Sequence, residues 1–413
     1  MANFLWGKVY FKDIFAGYLR EEPGERVSFA YDSSYINANH PAIAFNLPLQ
    51  AEPHISNNSL HPFFDNLVAE GWLEQAQSRL LGKRIVKRFE LLLAFGFDCA
   101  GAVSIIDPEP EKLTDIIFAQ DESKEATLLT NRASLSGVQP KLTIIKENGQ
   151  YRATCSSELS THIAKFSSAN HPNLLENEYL TMQAFGSLLP DDDIIECNID
   201  EIKGLSEQAL LIKRFDRVIP SDIKQENTVQ PIRLHFEEFN QLLNYRSANK
   251  YNGSYKDIAN FIKTEKSCLP TQNYTLYLRV LAGLLLGNTD MHFKNFAMFH
   301  TDAGLRFTPS YDQVAATLYQ YKNVALAIAG SEELPLSNLK PNNIIKLGEE
   351  FGLSAISIKM AVESLGNNLE KTQQVIAEAK FGSETLKNSL INLMVKRWNG
   401  TFALIGKILS KKQ

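Results

Sequence analysis

The sequence predicts an α+β protein of two lobes, strand-containing first and helical after, on three observations. Strand-like runs such as KVYF, RVSFAY, LTIIK and ALLIKRFDR fall within residues 1–230. From about Leu234 onward, helical periodicity dominates. A length of 413 residues is too great for one small domain, and the composition turns sharply acidic after the first hundred.

In chain order, KVYF and RVSFAY read as strands separated by the turn EEPGE. Residues 63–95, rich in Leu and Ala and punctuated by Gly71 and Gly82, predict helix. Residues 107–125 hold seven acidic residues, two basic ones and two prolines, the composition of a solvated connector. A boundary there separates an N-terminal subdomain, 1–125, from a middle segment, 126–230. The middle opens with SLSGVQPKL (134–142), followed by LTIIK and YRATC around Asn148-Gly149. Asn-Gly between two alternating runs signals a hairpin, since both central residues of a type I′ turn need positive φ. THIAKFS (161–167) and ALLIKRFDR (209–217) predict two more strands. Between them PNLLENEYLTMQAFGSLLP predicts an amphipathic helix with Pro172 in its first turn. The last segment, 231–413, reads as a helical lobe: FEEFNQLLNY, YKDIANFIK, TLYLRVLAGLLL, IIKLGEEFG and LKNSLINLMVKRW. That order suggests a nucleotide clamped between two lobes.

Composition excludes several classes. Hydrophobic residues at 44% and charged residues at 22% describe an ordinary globular chain. A net charge of −5 argues against nucleic-acid binding through overall charge. Cys99, Cys155, Cys197 and Cys268 are widely spaced and form no CxxC, against a zinc site or a disulfide framework and in favour of a reducing cytoplasm. No signal peptide is visible at the start, and no apolar run approaches the roughly 18 residues a spanning helix needs.

The chemistry gathers in GNTDMHFKNF, behind the apolar run VLAGLLLG. Phosphoryl transfer asks for a carboxylate to orient or accept the proton of the attacking hydroxyl, and for hard oxygen ligands to magnesium. Protein kinases place an Asp and an Asn five positions apart, with a second metal-binding Asp downstream. Asp290 and Asn295 have that spacing, and Asp312 of SYDQVAAT follows seventeen residues later, across a hairpin predicted at TDAG. D-x-H-x-x-N with a downstream YD points to a phosphotransferase without choosing a protein, lipid or small-molecule acceptor. Lys165 in mid-strand needs a partner if buried, and Glu178 on the next helix could supply it. SLSGVQPKL could offer backbone N–H groups to phosphates, although it matches neither GxGxxG nor the Walker loop. Taken singly, each has a plain structural reading: a turn or cap for Asp290 and Asn295, a hydrogen-bonded histidine for His292, a solvent-reaching lysine for Lys165.

Together these motifs make the sequence resemble the HipA family of toxin kinases, the kinase partners in bacterial type II toxin–antitoxin pairs. SLSGVQPKL, HIAKF, NEY (177–179), LIKRFDR, RLHFEEF, GNTDMHFKNF and YDQVAA stand in family order over most of the chain. The resemblance implies a two-lobed, protein-kinase-like fold of the HipA type that uses ATP and Mg2+. It implies Asp290 as catalytic base and Asn295 and Asp312 as metal ligands. Ser136, Gly137, Val138, Gln139, Pro140 and Lys141 would form the phosphate-binding loop, with Lys165 on phosphate and Glu178 its partner. Lys213, Arg214 and Phe215 would form the hinge meeting adenine, Asp216 would lie near the ribose, and His292, Phe293, Lys294 and Tyr311 would complete the site. Lys213 stands where relatives can carry an acidic residue, and Pro140 removes one N–H donor from its loop.

The family also implies self-inactivation by autophosphorylation, at Ser134 or at Ser136. A phosphate there adds about −1.5 to −2 charges beside the triphosphate and would expel the loop. The implied substrate is a serine of a translation component, an aminoacyl-tRNA synthetase, whose modification inhibits translation and underlies persistence. The implied partner is a small helix-turn-helix antitoxin, HipB-like, that brings the pair to operator DNA in the cytoplasm. The segment 386–413 carries six basic and no acidic residues, which suits either operator DNA or a solvated helix. Two alternatives remain: a small-molecule kinase with the same loop, and a non-catalytic co-repressor that only binds the antitoxin.

Overall fold

The computed structural model describes residues 4–57, 59–81, 86–108, 139–154, 158–168, 170–219 and 230–410. It divides into two compact units, Met1–Ser168 with Asp200–Ser247, and Ala169–Ile199 with Ala248–Gln413. The connector expected at 107–125 lies almost wholly outside the described residues. Within them, no helix is long and apolar enough to cross a membrane, and Cys99, Cys197 and Cys268 are free thiols.

The first unit holds two sheets. Strands β1 (Trp6–Phe11), β2 (Ile14–Glu22), β3 (Arg26–Tyr31), β4 (His54–Ser56) and β5 (Val103–Ile106) lie in the order β4-β3-β2-β1-β5. Lys12 and Asp13, both at positive φ (47° and 65°), make the tight turn from β1 to β2. Val9, Leu19 and Phe29 from these strands share a core with Phe63, Phe64, Leu92 and Phe95. Those last four lie in the stretch expected to be helical from 63 to 95, and it is helical in three pieces: Pro62–Asp65, Gly71–Leu80 and Arg88–Phe95. Gly71 starts the second piece at φ +61°, a backbone state that breaks a continuous helix.

The second sheet contains β6 (Lys141–Glu147), β7 (Gln150–Ala153), β8 (His162–Lys165), β9 (Cys197–Glu201) and β10 (Gln208–Lys213), in the order β7-β6-β8-β10-β9. Asn148 and Gly149 have φ of 50° and 80°, the two positive values the hairpin required. One face of this sheet buries Leu142, Ile144, Ala164, Ala209 and Leu211, with Trp72 packed against it. Two expectations need correction here. The strand predicted to run to Arg217 stops at Lys213, and a short pair, β11 (Arg217–Val218) with β12 (Ile232–Arg233), follows. FEEFNQLLNY is not one helix: Phe236–Glu238 is extended, and only Phe239–Leu242 is helical.

The second unit is mainly helical. The helix Leu174–Leu188 begins two residues after Pro172, because Asn173 at φ +58° turns the chain just ahead of it. Helices Tyr255–Thr264, Gln272–Leu286, Pro341–Glu350 and Glu384–Gly400 confirm four predicted segments, and Ala355–Asn367 and Leu369–Glu378 add two more. Gln272–Leu286 is apolar nearly all round and accordingly buried all round, from Leu276 and Tyr277 to Leu285. The basic segment near the end is not simply a solvated face. Lys387 is buried and donates to the Ala377 carbonyl at 3.2 Å. Arg397 donates to the Leu336 carbonyl at 3.1 Å, and burial draws its pKa down to about 10.

Candidate active site

The apolar helix Gln272–Leu286 ends at Gly287, whose φ of +83° is the left-handed closure that favours glycine. The loop then folds back on its own helix. A Cβ at Gly283 would come within 2.2 Å of Met291 Sδ, so only glycine there lets Met291 lie so close. Amides brace the turn: Asn288 accepts from the Asp290 N–H at 2.9 Å and donates to Gln313 Oε1 at 2.9 Å. The backbone N–H of His292 donates to the Asp290 carbonyl at 2.8 Å, and Asp290 itself projects outward, exposed.

Phe293–Asn295 forms a single 3-10 turn in which Asn295 Oδ1 accepts from the His292 N–H at 3.0 Å. That bond fixes the amide, so Asn295 Nδ2 faces Asp312 Oδ2, 2.7 Å away. The predicted hairpin is present as Ala297–Thr301 paired with Gly304–Phe307, and it returns the chain to this edge. Asp312 sits at φ +58°, a left-handed state an aspartate tolerates but does not choose. It is held from both sides. Tyr311 donates its hydroxyl to the Lys294 carbonyl at 2.7 Å, and Gln313 donates to the Tyr311 carbonyl at 3.1 Å. Three residues on, Ala315 is clamped by buried Asn177, which accepts its N–H at 2.9 Å and donates to its carbonyl at 3.3 Å. Asp290, His292, Lys294, Asn295, Tyr311 and Asp312 are thus one constellation inside one unit, with Phe293 wholly buried beneath it.

The other predicted residues lie on the first unit, except Glu178, which is buried on the helix beside Asn177. Lys165 and Lys141 stand directly opposite each other on β8 and β6, each buried, on the face away from the leucine-rich core. Gln139 and Pro140 are tied to the end of β8, through Gln139 to the Phe166 carbonyl at 2.8 Å and the Phe166 N–H to the Pro140 carbonyl at 2.9 Å. Ser134, Ser136, Gly137 and Val138 lie outside the described residues.

The segment 213–216 departs from expectation. Lys213 is exposed and Phe215 packs edge-on against Phe236 at 4.8 Å. Arg214 and Asp216, however, point inward. Asp216 accepts from Arg214 (2.9 and 2.7 Å), from Arg217 at 2.7 Å and from the Gly101 N–H at 2.8 Å. Burial opposes its ionisation, but Arg214 and Arg217 outweigh that, and its pKa lies below the ordinary carboxylate value. The Asp216 carboxylate is thus engaged in a buried network within its own unit. Arg214 likewise spends its guanidinium on Asp98, Ser160 and Asp216. The signal for this was present in the sequence, as four ionisable residues packed into KRFDR after an apolar strand.

Comparison with known proteins agrees with the geometry. The family model described as the HipA-like C-terminal domain matches residues 133–376, and the HipA N-terminal domain matches residues 7–106. The chain belongs to the HipA family. It is 27% identical over 350 residues to the serine/threonine-protein kinase toxin HipA of Shewanella oneidensis, covering 78% of each chain. The putative kinase Y4mE of Sinorhizobium fredii is 24% identical over 375 residues, covering 85% of this chain and 86% of that one. Among solved structures, HipA in the Shewanella oneidensis complex of HipA, HipB and operator DNA matches with a TM-score of 0.75 at 22% identity. That match covers 97% of this chain and 99% of the other, and it establishes the α+β HipA fold. Sequence reasoning passed over two residues that contact this constellation from outside its loop. Asn177 was visible only as part of NEY, and Tyr251, which donates to Asp290 Oδ1 at 2.8 Å, gave no signal at all.

Proposed function

We propose that this HipA family member is a serine/threonine protein kinase toxin that transfers the γ-phosphate of ATP to a serine of a translation component, an aminoacyl-tRNA synthetase. The observation that carries the reading is the Asn295–Asp312 contact at 2.7 Å, made across the hairpin, beside an outward-facing Asp290: the three groups phosphoryl transfer needs in one unit. The names of the relatives, a serine/threonine-protein kinase toxin and a putative kinase, support it.

In this reading Asp290 orients the acceptor hydroxyl and takes its proton. Asn295 and Asp312 fit a magnesium ion, because both offer hard oxygens; Asn295 Oδ1 keeps a lone pair beyond the one given to His292. The ion would neutralise charge on the β- and γ-phosphates. Lys165 and Lys141, which face each other across β8 and β6, hold phosphate oxygens. Glu178 is assigned as the partner of Lys165. His292, Phe293, Lys294 and Tyr311 frame the loop, the backbone of Lys213, Arg214 and Phe215 serves adenine, and Gln139 and Pro140 anchor the phosphate-binding loop. Ser134 or Ser136 receives the inactivating phosphate. By analogy with the Shewanella oneidensis complex, the partner is a HipB-like antitoxin, and operator DNA is reached through it.

The test incubates purified protein with labelled ATP, magnesium and cell lysate and identifies labelled proteins by mass spectrometry. Asp290→Ala should abolish labelling, autophosphorylation and growth inhibition while the fold persists; general-base removal alone is worth about 10²–10⁴-fold. Toxicity surviving that change overturns the kinase reading. Label in a metabolite and in no protein moves the assignment to a small-molecule kinase.

A further inference from the structure

We propose that Tyr251 is a positioning residue for Asp290, its phenol fixing the rotation of the carboxylate that meets the acceptor hydroxyl. The inference rests on the phosphotransfer reading above and adds to it a residue outside the loop itself. Tyr251 lies on the turn before the helix Tyr255–Thr264, and its Oη donates to Asp290 Oδ1 at 2.8 Å. Its ring is 46% exposed, so burial is not what holds it there. Instead the turn is bound to the loop along its length. The Phe293 N–H donates to the Lys250 carbonyl at 3.2 Å, and the His292 ring meets the Tyr251 ring edge-on at 4.9 Å and 80°. Gly253 presses against Phe293 so closely that a Cβ would fall 2.6 Å from that ring. The Ala327 N–H donates to the Gly253 carbonyl at 2.9 Å, which ties the turn to the rest of the unit. A tyrosine on so constrained a turn holds its hydroxyl in one place.

The chemistry gives that hydroxyl a purpose. Phosphoryl transfer depends on placing the nucleophile, and the terminal torsion of an aspartate is intrinsically broad. A phenol donating to one oxygen removes that freedom, and it also favours the ionised carboxylate, lowering its affinity for a proton. The ionisable groups on the elements around Asp290 are His292 and Lys294 on its own loop, Asp312 behind Asn295, and Lys250, Tyr251 and Tyr255 opposite. Of these, Tyr251 places its hydroxyl on the carboxylate itself, 2.8 Å from Oδ1.

Tyr251→Phe keeps the ring against His292 and deletes one O–H. Expected are a kcat for peptide or protein phosphorylation about ten-fold lower, an unchanged KM for ATP, and an acidic limb of kcat displaced to higher pH. The Asp290 carboxyl 13C resonance, assigned by its loss in Asp290→Asn, should titrate at higher pH in Tyr251→Phe. That measurement needs no turnover. A wild-type protein that transfers no phosphate removes the kinase reading and this proposal together. An active wild type with Tyr251→Phe unchanged in kcat and in pH profile removes this proposal alone. A lowered kcat with an unmoved acidic limb and an unmoved carboxyl titration marks Tyr251 as merely structural and also overturns it. Should Tyr251→Phe unfold, Tyr251→Leu, which likewise removes the donor, must show the same displaced limb.

Discussion

The two units treat charge in opposite ways. In the first, Asp98, Asp216, Arg214, Arg217 and Arg233 form a network sealed from solvent, in which guanidinium, carboxylate and backbone answer one another. Asp98 accepts from Arg217 at 2.7 Å, Arg214 at 3.1 Å and the Ser160 hydroxyl at 2.6 Å. Arg233 turns to the Gly101 and Val103 carbonyls and to Ser104, so the third guanidinium is met by neutral oxygens. In the second unit the framework of the active loop is made of amides and phenols: Asn288, Gln313, Asn295, Asn177, Tyr311 and Tyr251. Asp290 stands exposed at its tip. Identical residue types are therefore treated differently, and burial with saturation separates Asp98 and Asp216 from the exposed Asp290.

The largest effect expected from this contrast is on stability. Removing one partner from a buried ion network leaves charge uncompensated, at a cost of about 3–5 kcal/mol. Asp98→Ala should lower the denaturant midpoint of the first unit by that order, since Arg214 and Arg217 both lose a carboxylate. The same change at Asp290 should leave stability within about 0.5 kcal/mol, as surface substitutions do. Equal destabilisation at the two sites would break the comparison.

A pH titration of stability sharpens it. Asp98 is held below the usual carboxylate range: burial resists its charge, and Arg214, Arg217 and Arg233 overcome that resistance. Depressed acids contribute stability that is present above about pH 4 and is lost only as pH falls through their folded values, so the network is silent near neutrality. The acid-sensitive group of this unit is His61, whose Nδ1 accepts from the Phe63 N–H at 3.2 Å to start the helix Pro62–Asp65. Burial first, then His54 and Arg246, draw its pKa down to about 4. A neutral folded histidine contributes fully above its unfolded pKa of about 6.5, and the contribution disappears as pH drops towards 4, roughly 3 kcal/mol in all. His61→Asn retains a cap acceptor and does not titrate. Unfolding midpoints measured between pH 7 and 4 should therefore slope for the wild type and be flatter for the variant; parallel slopes would remove His61 from the account.

Legibility in the sequence follows the same division. The Asp290–Asn295–Asp312 spacing, the helix that delivers it and the hairpin that closes it were readable because each depends on local periodicity or turn chemistry. The Asn148-Gly149 hairpin was readable for the same reason. Interactions between distant segments were not. Asp98 and Arg214 are 116 residues apart in sequence, and nothing local in either announces the other. That is why ALLIKRFDR reads as one long strand, although its second half bends into the network. Asp290 and Tyr251 are 39 apart, and Tyr251 lies in a polar stretch with no period of its own. Residues 236–238 were misjudged because FEEF carries helix-compatible spacing, while tertiary pairing favours the extended form.

The smallest expected effect tests whether neutral groups do hold the loop. Asn177 is 1% exposed and satisfies both backbone groups of Ala315, while Thr181 one turn along donates to its side-chain oxygen at 3.1 Å. Ala315 follows Asp312 by three residues, and Asp312 is already in a left-handed state that only its surroundings maintain. Asn177→Ala strands a buried N–H and a buried carbonyl, a cost of about 1–3 kcal/mol, and frees Asp312 to relax towards ordinary φ. The melting temperature should fall modestly, whereas the magnesium concentration for half-maximal phosphotransfer should rise, because a metal ligand has lost its register. A fall in stability with unaltered magnesium dependence would confine Asn177 to packing. Asn177→Asp divides the two effects further: it can still accept the Ala315 N–H but sets a carboxylate against the carbonyl, so the loop should be half-held and the magnesium requirement intermediate.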